Sequence, residues 1–212
     1  MSMNNLNNVS LAAGAAGILT ATVGAAENKA VGELLAGIRN ASDKVRTEAW
    51  LNAGKAGAPA VKPLAAVMTD SDLEVARAAT RALWRLVRDA AWPRANKQKQ
   101  AVEIELIGLL GDKNPVSVRR EVLWMLSEIG GRNSIKAVAR LLKNSELRED
   151  ARMALERIPA KGATAALQAG FEAAPEDFKA NMAQSLRKRG QEVTGYPCQK
   201  LVPKKKTDLK PL

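Results

Sequence analysis

Apolar residues recur along this chain at the spacing of one helix face. In VSVRREVLWMLSEIG, residues 116–130, an anchor at Val118 is followed by Val122, Met125, Leu126 and Ile129, at offsets of four, seven, eight and eleven. Those offsets place all five side chains on one stripe of an α-helix. The same pattern begins at Val45, Val75, Leu147 and Phe178, so that consecutive anchors lie 30, 43, 29 and 31 residues apart. Ahead of each such helix lies a second apolar-periodic segment, at 31–38, 60–68, 101–110, 135–142 and 163–171. Each unit therefore predicts a helical hairpin. The longer interval accommodates an insertion, DAAWPRANKQKQ at 89–100, whose Pro93 and polar character predict a loop.

Cap chemistry agrees with this division. Gly111, Gly130, Gly131 and Gly190 stand where helices should stop, and Asp43, Asp72 and Asn114 where the next should start. A thirty-residue hairpin cannot bury its own apolar face, but stacked copies share a continuous core. The expected fold is all-α, a right-handed α-solenoid of about five hairpins, at about 29–56, 57–90, 98–130, 131–159 and 160–190.

The flanks differ from the repeats. Residues 11–26, LAAGAAGILTATVGAA, read as the apolar region of a signal peptide with cleavage near Ala26. They read equally as a flexible extension or an extra capping helix, because MSMNNLNNVS before them carries no Lys or Arg. Export and a cytoplasmic location both stay open. The stretch is too short and too rich in Gly, Ala and Thr for a membrane span. Residues 191–212 have no helical period, three prolines and a Lys run, as expected of a flexible basic tail, with Tyr196, Leu201 and Val202 able to fold back on the last repeat.

Composition narrows the chemistry. Aromatic residues make up 3% of the chain, which suits close-packed helices better than a β-sandwich. There is no histidine, and Cys198 is the only cysteine, which removes intramolecular disulfides, Cys/His metal sites and Ser-His or Cys-His nucleophiles. No paired carboxylates and no phosphate-cradling glycine loop stand out. We expect no metal, no cofactor and no enzymatic activity from such a chain, and a monomer. The net charge of +11 makes polyanions conceivable partners, but the excess is spread over the repeats as well as the tail.

APAVKPLAAVMTDSDLEVARAATRAL (58–83) and NPVSVRREVLWMLSEIGG (114–131) resemble HEAT repeats of the short phycobilisome-lyase type. The marks are the Ala-Pro-x-x-x-Pro-Leu opening of a first helix and the Val-Arg dipeptides Val45-Arg46 and Val118-Arg119. The resemblance covers roughly 29–190, and Val75-Ala76, Leu147-Arg148 and Phe178-Lys179 depart from the dipeptide. It implies a scaffold that binds a protein or peptide partner along the face of its second helices. Two branches of the family imply other roles, nucleic-acid binding on a basic Trp-lined groove and an auxiliary part in a bilin-lyase-like complex. The histidine-dependent iron-binding hydroxylase branch is excluded by composition.

Candidate partner-binding residues follow from helical offsets. Trp50, Trp84 and Trp124 fall off the centre of the core stripe, and partly exposed Trp beside Arg suits an interface hot spot or a base-stacking surface. They suit equally a seam between hairpins. Arg77, Arg81, Arg85 and Arg88 share one side of the helix that carries Trp84, as a partner patch or a solvated face. Arg119 and Arg120 join Trp124 as residues expected to point outward. Arg46, Arg119, Arg148 and Lys179 each follow an anchor and would form a structural ladder, pairing with carboxylates of adjacent repeats.

Overall fold

A computed structural model describes residues 24–92 and 96–197. The signal-like segment before residue 24, Pro93, Cys198, Leu201 and Val202 lie outside the described residues. Within them the chain forms ten α-helices and no strand. These are α1 (24–38), α2 (Asp43–Leu51), α3 (Val61–Val67), α4 (Leu73–Ala90) and α5 (Asn96–Gly108), followed by α6 (Val116–Ile129), α7 (Ile135–Arg140), α8 (Arg148–Arg157), α9 (Lys161–Ala173) and α10 (Glu176–Lys188). Short 3₁₀ turns at Ala53–Ala56, Ala58–Ala60, Arg132–Ser134 and Leu141–Lys143 tighten helix ends.

The helices pair in order and the pairs stack. Among second helices, α2 packs on α4, α4 on α6, α6 on α8 and α8 on α10. Among first helices, α3 meets α5 and α7 meets α9. One contiguous cluster of buried apolar residues runs from Leu34 and Ile38 of α1 to Met182 and Leu186 of α10. The chain is an all-α solenoid.

Small residues set the spacing. Ala79 and Ala82 of α4 are fully buried, and a Cβ added at Gly170 of α9 would stand 2.5 Å from Leu142 Cδ1 and 2.9 Å from Met182 Cε. Glycine is therefore what lets α9 approach both neighbours. Aromatic cores would hold such helices further apart.

Several local expectations are corrected. Val45 is 38% exposed, and no residue of α2 is buried, because among the described residues no hairpin precedes its own. The insertion is mostly helix: α4 continues to Ala90 and α5 begins at Asn96, leaving residues 91–95 between them. Asp72 caps α4, accepting from the N–H groups of Glu74 and Val75 at 2.9 and 3.3 Å. Asp43 and Asn114 do not cap. Ser42 precedes α2, and Asn114 instead donates through Nδ2 to the Leu109 carbonyl at the end of α5.

Two polar groups absent from the sequence reading join hairpins. Glu103 of α5, 4% exposed, accepts from the N–H of Gly131 at 2.8 Å, the N–H of Ser134 at 3.2 Å and the Ser134 hydroxyl at 2.6 Å. It thereby ties α5 to the turn that starts α7. Arg189, after α10, donates to the carbonyls of Leu155, Glu156, Ile158 and Ala160 and to Thr164 Oγ1. A cation at the carbonyl end of α8 also complements its dipole. Truncating Glu103 to Ala leaves two buried donors and a part-buried one without an acceptor, and we expect a loss of about 3 kcal/mol in urea unfolding. Glu103→Gln should lose less, and an Ala variant within about 0.5 kcal/mol of the parent would contradict this role.

Candidate functional site

The second helices α4, α6, α8 and α10 expose their polar faces because each keeps its apolar stripe turned to the core. On α4 the stripe comprises Val75, Ala79, Leu83, Leu86 and Ala90 among others, leaving Arg77, Arg81, Arg85 and Arg88 exposed. Arg77 pairs with Glu74 at 2.8 Å and Arg85 with Asp89 at 3.1 Å, both within the helix. Arg88 lies over the Trp84 ring at 5.3 Å. Among the described residues Arg81 has no ion pair.

Trp84 and Trp124 sit at seams between repeats and are held by carboxylates of the next repeat. Trp84 Nε1 donates to Glu121 of α6 at 2.9 Å, and Trp124 Nε1 donates to Asp150 of α8 at 2.9 Å. Glu121 and Asp150 both stand three residues after their anchors, Val118 and Leu147. The same register on α10 holds Asn181, whose Nδ2 donates to Glu149 at 3.3 Å. Trp84 is half-buried, whereas Trp124 is 44% exposed and presents its ring on the face. Trp50 is half-buried against the core.

Arg120 joins the second seam, pairing with Asp150 at 3.0 Å and donating to the Glu146 carbonyl at 2.9 Å. Arg119 does not point outward as expected. It is 5% exposed and pairs with Asp112 in the turn of its own hairpin at 2.8 Å, since it begins the α6 stripe beside Val118. Among the described residues the expected ladder has one rung between repeats, Arg148 to Asp177 at 2.6 Å. Arg46 pairs with Asp43 of its own helix, and Lys179 lies over the Phe171 ring at 5.6 Å.

Between α8 and α10 the face carries a charge network the sequence reading missed. Ser185 donates to Glu156 at 2.6 Å, Arg152 donates to it at 3.0 Å, and Lys188 stands 2.9 Å from its other oxygen. Arg152 also donates to Ser185 and to both oxygens of Glu149. Burial pushes the Glu156 carboxyl up most strongly, but the hydrogen bonds from Ser185 and Lys188 and the charges of Lys188 and Arg152 outweigh it, holding it below its ordinary value. Beyond the last helix, Tyr196 packs edge-on against Phe171 at 5.5 Å, and its hydroxyl donates to Glu176 at 2.8 Å, which pushes the phenol up.

Among the described residues no three His, Cys, Asp or Glu side chains come close enough to hold a metal ion, and no helix is long and apolar enough to cross a membrane. The face offers fixed indoles, guanidinium groups and carboxylates.

No family model matches the chain, and no curated protein does. Among solved structures, a designed armadillo repeat protein in complex with the peptide (KR)4 aligns with 20% identity over 73% of this chain and 80% of its own, at a TM-score of 0.41. An engineered protein aligns with 22% identity over 74% and 78%, at 0.39. Superposition this loose carries no argument; the solenoid rests on the helix packing described above.

The Glu156 network makes stability depend on acid pH. A carboxyl held below its ordinary value of 4.5 stabilises the fold fully above that pH and loses the contribution as pH falls through its folded value. The difference in unfolding free energy between the parent and Glu156→Gln should therefore be largest at neutral pH and shrink below about pH 4.5. A difference that stays constant from pH 7 to pH 3 would contradict it.

Proposed function

We propose that the protein is a non-enzymatic, monomeric HEAT-repeat scaffold of the short phycobilisome-lyase type, binding a protein or peptide partner along the face of its second helices. The observation that carries this reading is the pair of tryptophans fixed at successive seams, Trp84 by Glu121 and Trp124 by Asp150, beside exposed Arg81 and Arg120. An aromatic side chain already held in place loses little freedom when a partner packs on it, which favours affinity. Arginine next to it supplies directional donors.

The sign of the face favours a protein over nucleic acid. Glu121, Glu149 and Asp150 lie between the cationic groups of α4 and α10, so the positive charge does not form a track for a phosphate backbone. Mixed charge with aromatic anchors suits a folded or extended polypeptide surface.

A photocrosslinking residue at position 81 or 120 should capture protein from nuclease-treated native lysate, whereas one at Ala66, exposed on first helix α3, should not. Trp124→Ala should reduce capture at both positions at least about tenfold, the effect of losing one interface hot spot. Adducts that vanish after nuclease treatment, or that form equally at position 66, would overturn the reading.

A further inference from the structure

Between the third and fourth hairpins lies an open pocket of about 500 Å³, walled by the end of α5, the turn after it, α7 and the start of the following turn. None of the tryptophans lines it. Its charged wall comprises Arg119, Arg140 and Lys143, opposed by the single carboxylate of Asp112. Ile107, Leu110 and Leu141 supply an apolar wall beside them.

Arg119 is the unusual member. It is 5% exposed, yet its Nε has no hydrogen-bond partner. Buried guanidinium N–H groups are normally satisfied, and leaving one unused is costly. Its repeat counterparts are engaged: Arg148 pairs with Asp177 and lies over the Phe178 ring at 4.7 Å, and Arg46 pairs with Asp43 and donates to the carbonyls of Asn40 and Ala41. Asp112, the sole counter-charge of Arg119, sits on an exposed turn with its side chain 93% accessible, so it can leave for solvent without unfolding anything. Among the described residues Arg140 and Lys143 have no ion pair.

We propose that this pocket binds a phosphomonoester dianion carrying an apolar body. Three cations against one carboxylate leave an excess of two positive charges, which a dianion neutralises and a carboxylate does not. The planar fork of Arg119 supplies directional donors from the floor, and Arg140 and Lys143 close on the phosphate from the rim. Asp112 occupies the Arg119 fork in the free protein and yields to the ligand. This site is separate from the second-helix face and stands or falls independently of the scaffold reading.

Titration calorimetry of the full chain with phenyl phosphate tests it, with benzoate and phenol as the monoanionic and neutral comparisons. Phenyl phosphate should bind saturably and at least about tenfold more tightly than benzoate, since the extra charge meets an unneutralised cation. Arg140→Gln/Lys143→Gln, both at exposed positions, should weaken it about tenfold or more with the unfolding midpoint unchanged. Asp112→Asn should tighten it several-fold by removing the competing carboxylate. A phosphotyrosine flanked by alanines separates the two sources of the group: tighter binding than phenyl phosphate assigns it to a phosphorylated peptide, equal or weaker binding to a small molecule. Absence of saturable binding to the parent and to Asp112→Asn, or equal binding of benzoate and phenyl phosphate, would overturn the proposal.

Discussion

A hairpin of about thirty residues has two helices and more apolar surface than those helices can cover for one another. Every structural feature of this protein follows from the need to place a second hairpin against that surface. The cost of ordering the chain, about 1 to 2 kcal/mol per residue, is met only when side chains such as Leu83, Leu126 and Leu155 lose all contact with water. The same demand explains alanine and glycine at the contacts, since close approach compensates for a core with few aromatic rings.

The seams that satisfy this demand also shape the surface. Where α4 meets α6 and α6 meets α8, the tryptophans are too large to disappear into the stripe and too apolar to stand free. Their N–H groups reach a carboxylate on the next helix, and the ring remains partly presented. Glu121 and Asp150 thus hold repeats together and hold the indoles still. Where side-by-side contact between first helices gives way to the turn before α7, buried Glu103 makes the connection instead.

Much of this was legible in the pattern of apolar residues. The helical hairpins and the core positions of α6 were readable because offsets of three and four residues survive in every repeat. Exposure of Val45 was not, since an anchor position reveals its periodicity but not that its hairpin is the first among the described residues. The seam position of Trp84 and Trp124 was one of two alternatives, and aligning the carboxylates three residues after Val118 and Leu147 carries the signal that separates them. Arg119 was misplaced outward because an offset of one residue from an anchor lies at the edge of the stripe, where a long side chain can turn either way. Glu103, Glu156 and Arg189 left no mark in the pattern, for most of their partners are backbone groups and side chains about thirty residues distant.

The central claim is that the repeats are stabilised by their seams and not one by one. Native-state hydrogen exchange over a denaturant series measures it directly. Amides of α6 and α8 should exchange only through a shared, largest opening, while those of α2, which has no buried residue, should open first at lower free energy. If α6 exchanged through an opening of its own while α8 stayed protected, the stacked core would not be the source of stability, and the account would be contradicted.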